Sequence, residues 1–251
     1  MLSLNNISKH FIDDRGQQVE ILDKIDLDIQ PGELIAIFGP NGCGKSTLMN
    51  MVSGLDRPSS GEIIWNRTNP EVSYLFQDYK ASLLPWQTAY QNISLPLRWK
   101  GLNSIQIRTK ISSLVDKFKI DINLNAYPFT LSGGQAQLVS ILRSMAVDPD
   151  LLILDEPFSA LDYLNSIALL LKLQEIWLKS GFTGIFISHN IEEAIFLGDR
   201  LVILSPKPTR ILDIIEIDLP RPRSIEILTD PQFVRIKQQA LETMRSMMLG
   251  L

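Results

Sequence analysis

The feature that most constrains this chain is the octapeptide GPNGCGKS at residues 39–46, which directly follows a short apolar run at 33–38. The run predicts a buried parallel strand, and a helix is expected from about Lys45 to Gly54. Glycines let backbone N–H groups curl around an anion, and the helix N-terminus adds a favourable dipole. The octapeptide therefore predicts a phosphate-binding loop, with Lys45 as its point charge and the Ser46 hydroxyl as a Mg²⁺ ligand.

Two adjacent carboxylates, Asp155 and Glu156, follow the apolar run Leu151–Leu154. Downstream of a phosphate loop, such a pair is typical of a site in which the first acid holds Mg²⁺. The second acid, Glu156, is then placed to polarise an attacking water as a general base. Taken alone, the pair is weak evidence, because two acids there are also consistent with a cap on the helix that follows.

A second anion-binding helix start is predicted at 131–135, where the sequence reads LSGGQ. Its serine and its exposed backbone N–H groups precede a helix but have no strand before them. One chain would thus carry two different half-sites for anions.

With this signature the chain resembles the ATP-binding cassette (ABC) ATPases, over nearly its whole length and with the motifs in the family's order. The resemblance implies an α/β P-loop NTPase (RecA-like) fold: a parallel core sheet with an antiparallel β subdomain and an inserted α-helical subdomain. It implies one ABC ATPase domain over 1–251. The core and the β subdomain take about 1–84 and 147–251, and the helical subdomain about 85–146.

Hydrophobic patterning agrees with this α/β organisation. Alternating or continuous apolar runs predict strands at Leu2–Ile7, Val19–Ile29, Glu33–Phe38, Gly61–Trp65, Glu71–Phe76, Leu151–Leu154, Thr183–Ser188, Arg200–Leu204 and Arg210–Asp218. A final helix is expected at 231–249, with Phe233, Ile236, Ala240, Met244 and Met247 on one face.

The resemblance also implies roles for single residues. Phe11 stacks on adenine, Gln77 touches Mg²⁺ and relays to a membrane partner, and His189 contacts the γ-phosphate. Judged as isolated residues, Phe11 is also an ordinary strand aromatic, Asp162 a helix N-cap and His189 a strand-end histidine. The implied catalytic residues are Glu156, His189, Gln77 and Lys45, and the implied metal ligands are Ser46, Gln77 and Asp155. The implied nucleotide-binding residues are Phe11, Gly39, Asn41, Gly42, Cys43, Gly44, Lys45, Ser46, Thr47, Gln77, Ser132, Gly134, Gln135 and Asp162.

In the family that this chain resembles, ATP with Mg²⁺ is sandwiched between the phosphate loop of one subunit and the LSGGQ of a second. The resemblance therefore implies a dimer, either of two identical chains or with a sister ATPase. It further implies an integral membrane permease as partner and, indirectly, an extracytoplasmic solute-binding protein.

Three stretches, 83–96, 205–211 and 218–223, resemble the nitrate, sulfonate, taurine and bicarbonate importer branch, so uptake of a small anion is expected. Thr209 stands where that branch commonly has glycine, and the turn before Arg210 is expected to differ. The run Pro220–Arg223 favours a solvated, extended linker.

One departure concerns the residues after the signature, where the family usually has basic side chains and this chain has Ala136 and Leu138. It puts the outer contacts of that helix and the hydrolysis rate in question, and it leaves a heterodimer open. The alternatives are another ABC transporter's ATPase, for a different solute or for export, a soluble ABC ATPase, or a regulatory subunit that hardly hydrolyses.

The net charge limits the classes of partner that we expect, and the cysteine content indicates the compartment. The 24 basic and 28 acidic side chains give a net charge of −4, which provides no bulk positive field for nucleic acid or an anionic membrane surface. The single cysteine fits a reducing compartment. Met1–His10 has no apolar signal core, and no run is apolar enough to span a bilayer. We therefore expect a peripheral protein on the cytoplasmic face of the inner membrane, bound to protein partners and not to nucleic acid.

Overall fold

The structure, a computed structural model, describes residues 1–78 and 82–249 of the chain. It divides into two compact units. The phosphate-loop unit comprises Met1–Pro70 and the chain from Thr183 onward, and the signature unit comprises Glu71–Phe182. The predicted helical subdomain at about 85–146 stays a prediction, and the predicted range 1–84 includes residues 79–81, which lie outside the described part.

The strands and helices follow each other in an α/β order. The strands are β1 (Leu2–Ile12), β2 (Gln18–Ile29), β3 (Leu34–Phe38), β4 (Ser60–Trp65), β5 (Val72–Leu75), β6 (Leu151–Asp155), β7 (Thr183–Ser188), β8 (Arg200–Leu204) and β9 (Ile211–Glu216). The helices are α1 (Lys45–Val52), α2 (Ala89–Trp99), α3 (Ser104–Phe118), α4 (Gly133–Met145), α5 (Tyr163–Ser180), α6 (Ile191–Leu197) and α7 (Pro231–Leu249).

An antiparallel sheet in the order β2-β1-β4 forms one layer of the phosphate-loop unit. The sequence predicted that β1 ends at Ile7, but the strand continues to Ile12, and Phe11 pairs with Val19 of β2. The register shifts after Leu4, Ile7 and Lys9. Each irregularity changes which side chains face the core, so the period-2 pattern is lost although the backbone pairing continues.

The second layer of this unit is a sheet in the order β7-β3-β8-β9. β3 pairs in parallel with β7 on one side and with β8 on the other, and β9 is antiparallel to β8. Ile35, Ala36 and Ile37 are completely buried. A strand covered on both faces is apolar throughout, which is why its position was predictable from a continuous apolar run.

In the signature unit, β5 and β6 pair in parallel from Val72 opposite Leu151 to Leu75 opposite Leu154. Three of its helices begin with a complete capping box, in which the N-cap side chain and the third helical residue exchange hydrogen bonds. The N-cap residues are Thr88 for α2, Asn103 for α3 and Ser132 for α4.

The Pro-Arg run at 220–223 is not a solvated linker, so that expectation is wrong. Arg223 is only 2% exposed, and its guanidinium donates to the carbonyls of Ile195, Phe196 and Gly198 at 2.8–2.9 Å. These carbonyls lie at the end of α6, where helix geometry leaves acceptors without intrahelical partners. Burial, more than the charge of Arg221, lowers the pKa of Arg223 to about 9.

The helix α7 packs one apolar face into the phosphate-loop unit, as predicted. Phe233, Ile236, Ala240 and Met244 are buried, and Met247 is half-buried. Across residues 1–78 and 82–249, none of the helices is both long and apolar enough to traverse a membrane.

Candidate functional site

The phosphate loop connects the buried strand β3 to α1 through two glycines with positive φ. Gly42 has φ 74° and Gly44, the N-cap residue of α1, has φ 119°. A Cβ on Gly44 would lie 2.9 Å from Cγ2 of Ile21, on the neighbouring strand β2. Glycine is therefore required at position 44 both for its backbone conformation and for the close approach of β2.

Lys45 lies inside the curl of this loop. Its side chain is buried, and its ammonium donates to the carbonyls of Gly39 at 3.0 Å and Pro40 at 3.2 Å. An ammonium has three N–H donors, so these two bonds leave one for an anion. The loop backbone thus holds a positive charge at the N-terminus of α1.

The remaining loop residues differ in burial. Cys43 is buried, which raises the pKa of its thiol although the Lys45 ammonium opposes the shift. Gly39 is also buried and Thr47 is half-buried, whereas Asn41, Gly42 and Ser46 are exposed.

His189 follows the end of the strand next to the loop. Ser188 pairs with Phe38 in the parallel register of β7 and β3, so His189 and Gly39 are the first residues after two adjacent strand ends. The Ser188 hydroxyl donates to Glu193 at 2.6 Å and accepts from the backbone N–H of Asn190 at 2.9 Å. These bonds fix the turn that carries the exposed His189 at the same sheet edge as the phosphate loop.

Phe11 lies near the end of β1 with 47% of its surface exposed. The Lys9 ammonium is 5.0 Å from its ring centroid, within range of a cation–π interaction. The same ammonium donates to Asp56 and to the carbonyl of Arg57, both at 2.8 Å. Part of the ring is therefore exposed and available for stacking, while Lys9 is held beside it by its bonds to Asp56 and Arg57.

In the signature unit, the paired acids lie at the end of β6 in two different environments. Asp155 is 5% exposed and accepts a hydrogen bond from the Tyr74 hydroxyl at 2.9 Å. Burial first, and then the Asp155 carboxylate, raise the pKa of Tyr74 above its ordinary value. Tyr74 was not identified from the sequence, although a tyrosine inside a short apolar strand indicates a hydroxyl that needs a buried partner.

Glu156 is less buried and holds an unusual backbone conformation. Its φ is 46°, in the left-handed region that non-glycine residues rarely adopt. Its carbonyl accepts from the N–H and the hydroxyl of Ser159 at 3.2 and 3.0 Å, and its carboxylate accepts from Nε2 of Gln77 at 3.0 Å. The structure thus brings together two predicted site residues, Gln77 and Glu156, at a strained position.

The signature begins α4 with a closed set of hydrogen bonds. The Ser132 hydroxyl accepts from the N–H of Gln135 at 3.3 Å, and the Gln135 side chain accepts from the N–H of Ser132 at 3.0 Å. Behind them, a Cβ on Gly134 would lie 3.7 Å from Oδ1 of Asn165. Gly134 therefore lies beside the start of α5.

Asp162 is the N-cap of α5, as its residue type alone suggested. Its carboxylate accepts from the Asn165 amide at 2.5 Å and from the Asn165 backbone N–H at 3.1 Å. These bonds hold the pKa of the Asp162 carboxyl below its usual range. Because Asn165 also lies beside Gly134, the structure brings Asp162 and the signature to one surface.

The two non-basic residues after the signature are placed differently. Ala136 is buried, so of the two residues only Leu138 can take part in the outer contacts of α4 that the sequence left in question. Leu138 lines a cavity of about 280 Å³ together with Ser132, Gly134 and Gln135.

The helix α4 is also tied to the segment that follows Gln77. Arg143 donates to the carbonyl of Ser82 at 2.6 Å and to its hydroxyl at 2.9 Å. Burial lowers the pKa of the Arg143 guanidinium. The sequence gave no reason to single out this arginine, since its partner is 61 residues away.

The side chains that the sequence predicted as metal ligands have donor atoms that suit Mg²⁺ better than a softer metal. Ser46, Gln77 and Asp155 offer hydroxyl, amide and carboxylate oxygens, which are the hard donors that this ion prefers. Over the part of the chain that is described, no three His, Cys, Asp or Glu side chains cluster as a metal cage. A Mg²⁺ ion held mainly by phosphate oxygens and water needs only one or two protein ligands.

Comparison with known proteins indicates the same family as the sequence motifs. The family model described as ABC transporter matches residues 22–159. The chain is 36% identical, over 96% of its length, to the aliphatic sulfonates import ATP-binding protein SsuB of Bacillus cereus, of which it covers 94%. It is 37% identical, over 96% of its length, to the nitrate import ATP-binding protein NrtC of Synechococcus elongatus, of which it covers 38%.

Among solved structures it is similar to the dimeric bacterial ABC transporter cassette MJ0796, with a TM-score of 0.74 and 26% identity, over 88% of this chain and 100% of that one. The same cassette as a post-hydrolysis dimer bound to ADP and Pi gives a TM-score of 0.73 at the same identity and coverage. The chain belongs to the ABC transporter family and is an ABC ATPase. The predicted α/β P-loop NTPase fold is confirmed.

Proposed function

We propose that this chain binds and hydrolyses Mg·ATP as the ATPase subunit of an importer, driving uptake of a small anion through a membrane permease. The observation that carries the proposal is the 3.0 Å hydrogen bond from Gln77 to Glu156. It fixes a carboxylate next to the end of β6, on a backbone whose left-handed φ is retained although it is strained. Such strain is typical of a residue kept for chemistry.

The phosphate loop binds the nucleotide in this proposal. Lys45 and the backbone N–H groups at the start of α1 hold the phosphates, and Phe11 stacks on the base. Ser46, Gln77 and Asp155 would hold Mg²⁺, which neutralises phosphate charge when bound. His189 contacts the terminal phosphate from the sheet edge it shares with the loop.

Glu156 accepts the proton of the attacking water, and Gln77 positions it. A carboxylate is an efficient general base only when its orientation toward the water is fixed. The Gln77 amide provides that orientation through one carboxylate oxygen. Since Gln77 is exposed, a membrane partner that moves it would change the orientation of the base.

The signature residues act on the nucleotide of a second subunit. Ser132, Gly134 and Gln135 lie with Asp162 on one surface of the signature unit, joined through Asn165. The dimeric state of the similar cassette supports this arrangement. The second subunit is either an identical chain or a sister ATPase.

The import direction and the anionic solute are inferred from relatives. Their names describe import of aliphatic sulfonates and of nitrate, and these relatives match 96% of this chain. We infer a peripheral protein at the cytoplasmic face of the membrane, attached to a permease and served indirectly by a solute-binding protein. Purification of the tagged chain from solubilised membranes should recover a polytopic permease, whereas recovery with ribosomes or nucleic acid would contradict this inference.

The test of the ATPase proposal is sedimentation velocity of Glu156→Gln with and without Mg·ATP. The amide has the shape of the carboxylate but cannot accept the proton, so nucleotide should bind without turnover and hold a dimer together. The matched control is Lys45→Ala in the same background, which should stay monomeric. Wild-type hydrolysis by Glu156→Gln would show that this residue is not the base.

A further inference from the structure

Thr209 is a fully buried residue between β8 and β9, locked onto β2 by its backbone. Its N–H donates to the carbonyl of Ile21 at 2.8 Å, and its own carbonyl accepts from the N–H of Asp23 at 2.9 Å. The loop that carries it is closed by a 2.9 Å bond from the N–H of Ser205 to the carbonyl of Arg210. The backbone of Thr209 is therefore held in place on both sides.

The Thr209 hydroxyl points at the phosphate loop and donates to the carbonyl of Cys43. In a trans peptide unit the C=O and the following N–H point in opposite directions. Because Thr209 holds the Cys43 carbonyl, the N–H of Gly44 points away from Thr209. That N–H is one of the backbone donors a phosphate loop presents to its ligand.

We propose that Thr209 is a positioning residue for nucleotide binding, because its hydroxyl sets the peptide plane between Cys43 and Gly44. The proposal rests on the nucleotide binding proposed above. Gly44 is also held by the 2.9 Å hydrogen bond that its carbonyl accepts from the N–H of Leu48, and by the close approach of Ile21 and Leu22.

Three substitutions separate positioning from packing. Thr209→Val keeps the branched shape and removes the hydroxyl, whereas Thr209→Ser keeps the hydroxyl and removes a methyl group. Thr183→Val is the matched control, since Thr183 is also buried and its hydroxyl accepts from the N–H of Gly32 at 2.9 Å. Thr183 begins β7, at the end of that strand away from His189.

The measurement is isothermal titration calorimetry of the full-length variants with MgADP, alongside their thermal unfolding without nucleotide. Thr209→Val should weaken MgADP binding by about five- to tenfold, the value of one hydrogen bond that sets a donor in place. Thr209→Ser should bind close to wild type. Thr183→Val should lower the melting temperature while leaving the affinity unchanged. In ATPase assays, the valine variant should show a raised KM with kcat retained.

Two results would overturn the assignment. Wild-type affinity in Thr209→Val would show that the hydroxyl does not set the loop, and equal losses in the valine and serine variants would show that packing alone matters. A wild-type chain that does not bind MgADP would instead refute the proposed function, and the assignment would fall with it.

Discussion

The starts of α1 and α4 are both predicted to face phosphate oxygens, yet they are built in opposite ways. At α1 the N-cap is Gly44, which has no side chain, and β2 and Thr209 hold the backbone from behind. At α4 the Ser132 side chain occupies the N–H of Gln135 and the helix start is self-contained. The first is suited to an anion only because its surroundings impose an unusual backbone, whereas the second is a stable helix end. The comparison predicts that changes at the start of α1 weaken nucleotide binding by the same chain, whereas changes at the start of α4 weaken dimerisation and not that binding.

The largest effect is expected for Lys45→Ala. The substitution removes the charge held by the Gly39 and Pro40 carbonyls, and a lost charged contact of roughly 3 kcal/mol corresponds to at least about a 100-fold rise in the Kd for MgATP. Lys172→Ala, which removes an ion pair with Glu175 in the signature unit, is the control and should bind normally. Titration calorimetry measures the Kd for MgATP of both variants. Tight binding by Lys45→Ala would show that the start of α1 is no more sensitive for nucleotide binding than the start of α4.

The glycines of the two helix starts should respond very differently to alanine. Gly44→Ala forces a Cβ into Ile21 at a positive φ and should reduce the free energy of unfolding by about 3 kcal/mol. Gly134→Ala meets its nearest atom at 3.7 Å and should change it by no more than about 0.5 kcal/mol. Urea unfolding of the two purified variants measures the difference, and equal losses would contradict it.

Removal of a cap should have a smaller effect. Ser132→Ala and Asn103→Ala each break a capping box and should each lower the free energy of unfolding by about 1 kcal/mol. If α4 acts on a partner's nucleotide, only Ser132→Ala should also reduce the ATP-dependent dimer of Glu156→Gln. Denaturant titration and sedimentation separate the two effects, and a dimer insensitive to Ser132→Ala would leave α4 as an ordinary capped helix.

The smallest effect concerns pH and the start of α5. The Asp162 pKa is lowered in the folded chain, first by the Asn165 side chain and then by its backbone N–H. A depressed carboxyl pKa adds stability above the unfolded value of about 3.9, and this stability is lost as the pH falls through the folded value. The stabilities of wild type and Asp162→Asn should therefore keep a constant difference above about pH 5, and this difference should shrink below it as Asp162 is protonated. Parallel curves across that range would show that the cap does not titrate.

Local sequence features were enough to predict the core around α1. The continuous apolar run of β3 and the glycine-rich octapeptide specify strand, loop and helix within twenty residues, and β7 and β8 have the predicted bounds. The β1 strand was predicted too short because its far half is exposed and its pairing is irregular. The alternation of apolar and polar residues follows burial. It therefore does not reveal a strand that remains paired while its side chains are exposed.

Contacts between distant residues could not be predicted. Thr209 reaches the Cys43 carbonyl across 166 residues, and Arg223 reaches the end of α6 across 25 to 28 residues. In each case the partner is a backbone carbonyl, which has no residue-specific signal in the sequence. The family resemblance named Gln77 and Glu156 as separate site residues, and the hydrogen bond between them was not predicted. The left-handed φ of Glu156 has no counterpart in its residue type.

The backbone of Glu156 has a consequence for laboratory evolution. At a φ of 46° a glycine would be free of the steric cost of about 1–2 kcal/mol that an L-side chain bears in the left-handed region. A screen that selects only for thermal stability should therefore enrich Glu156→Gly. The selected variants should be more stable than wild type but unable to hydrolyse ATP. Engineering this protein for robustness thus requires a turnover selection applied at the same time.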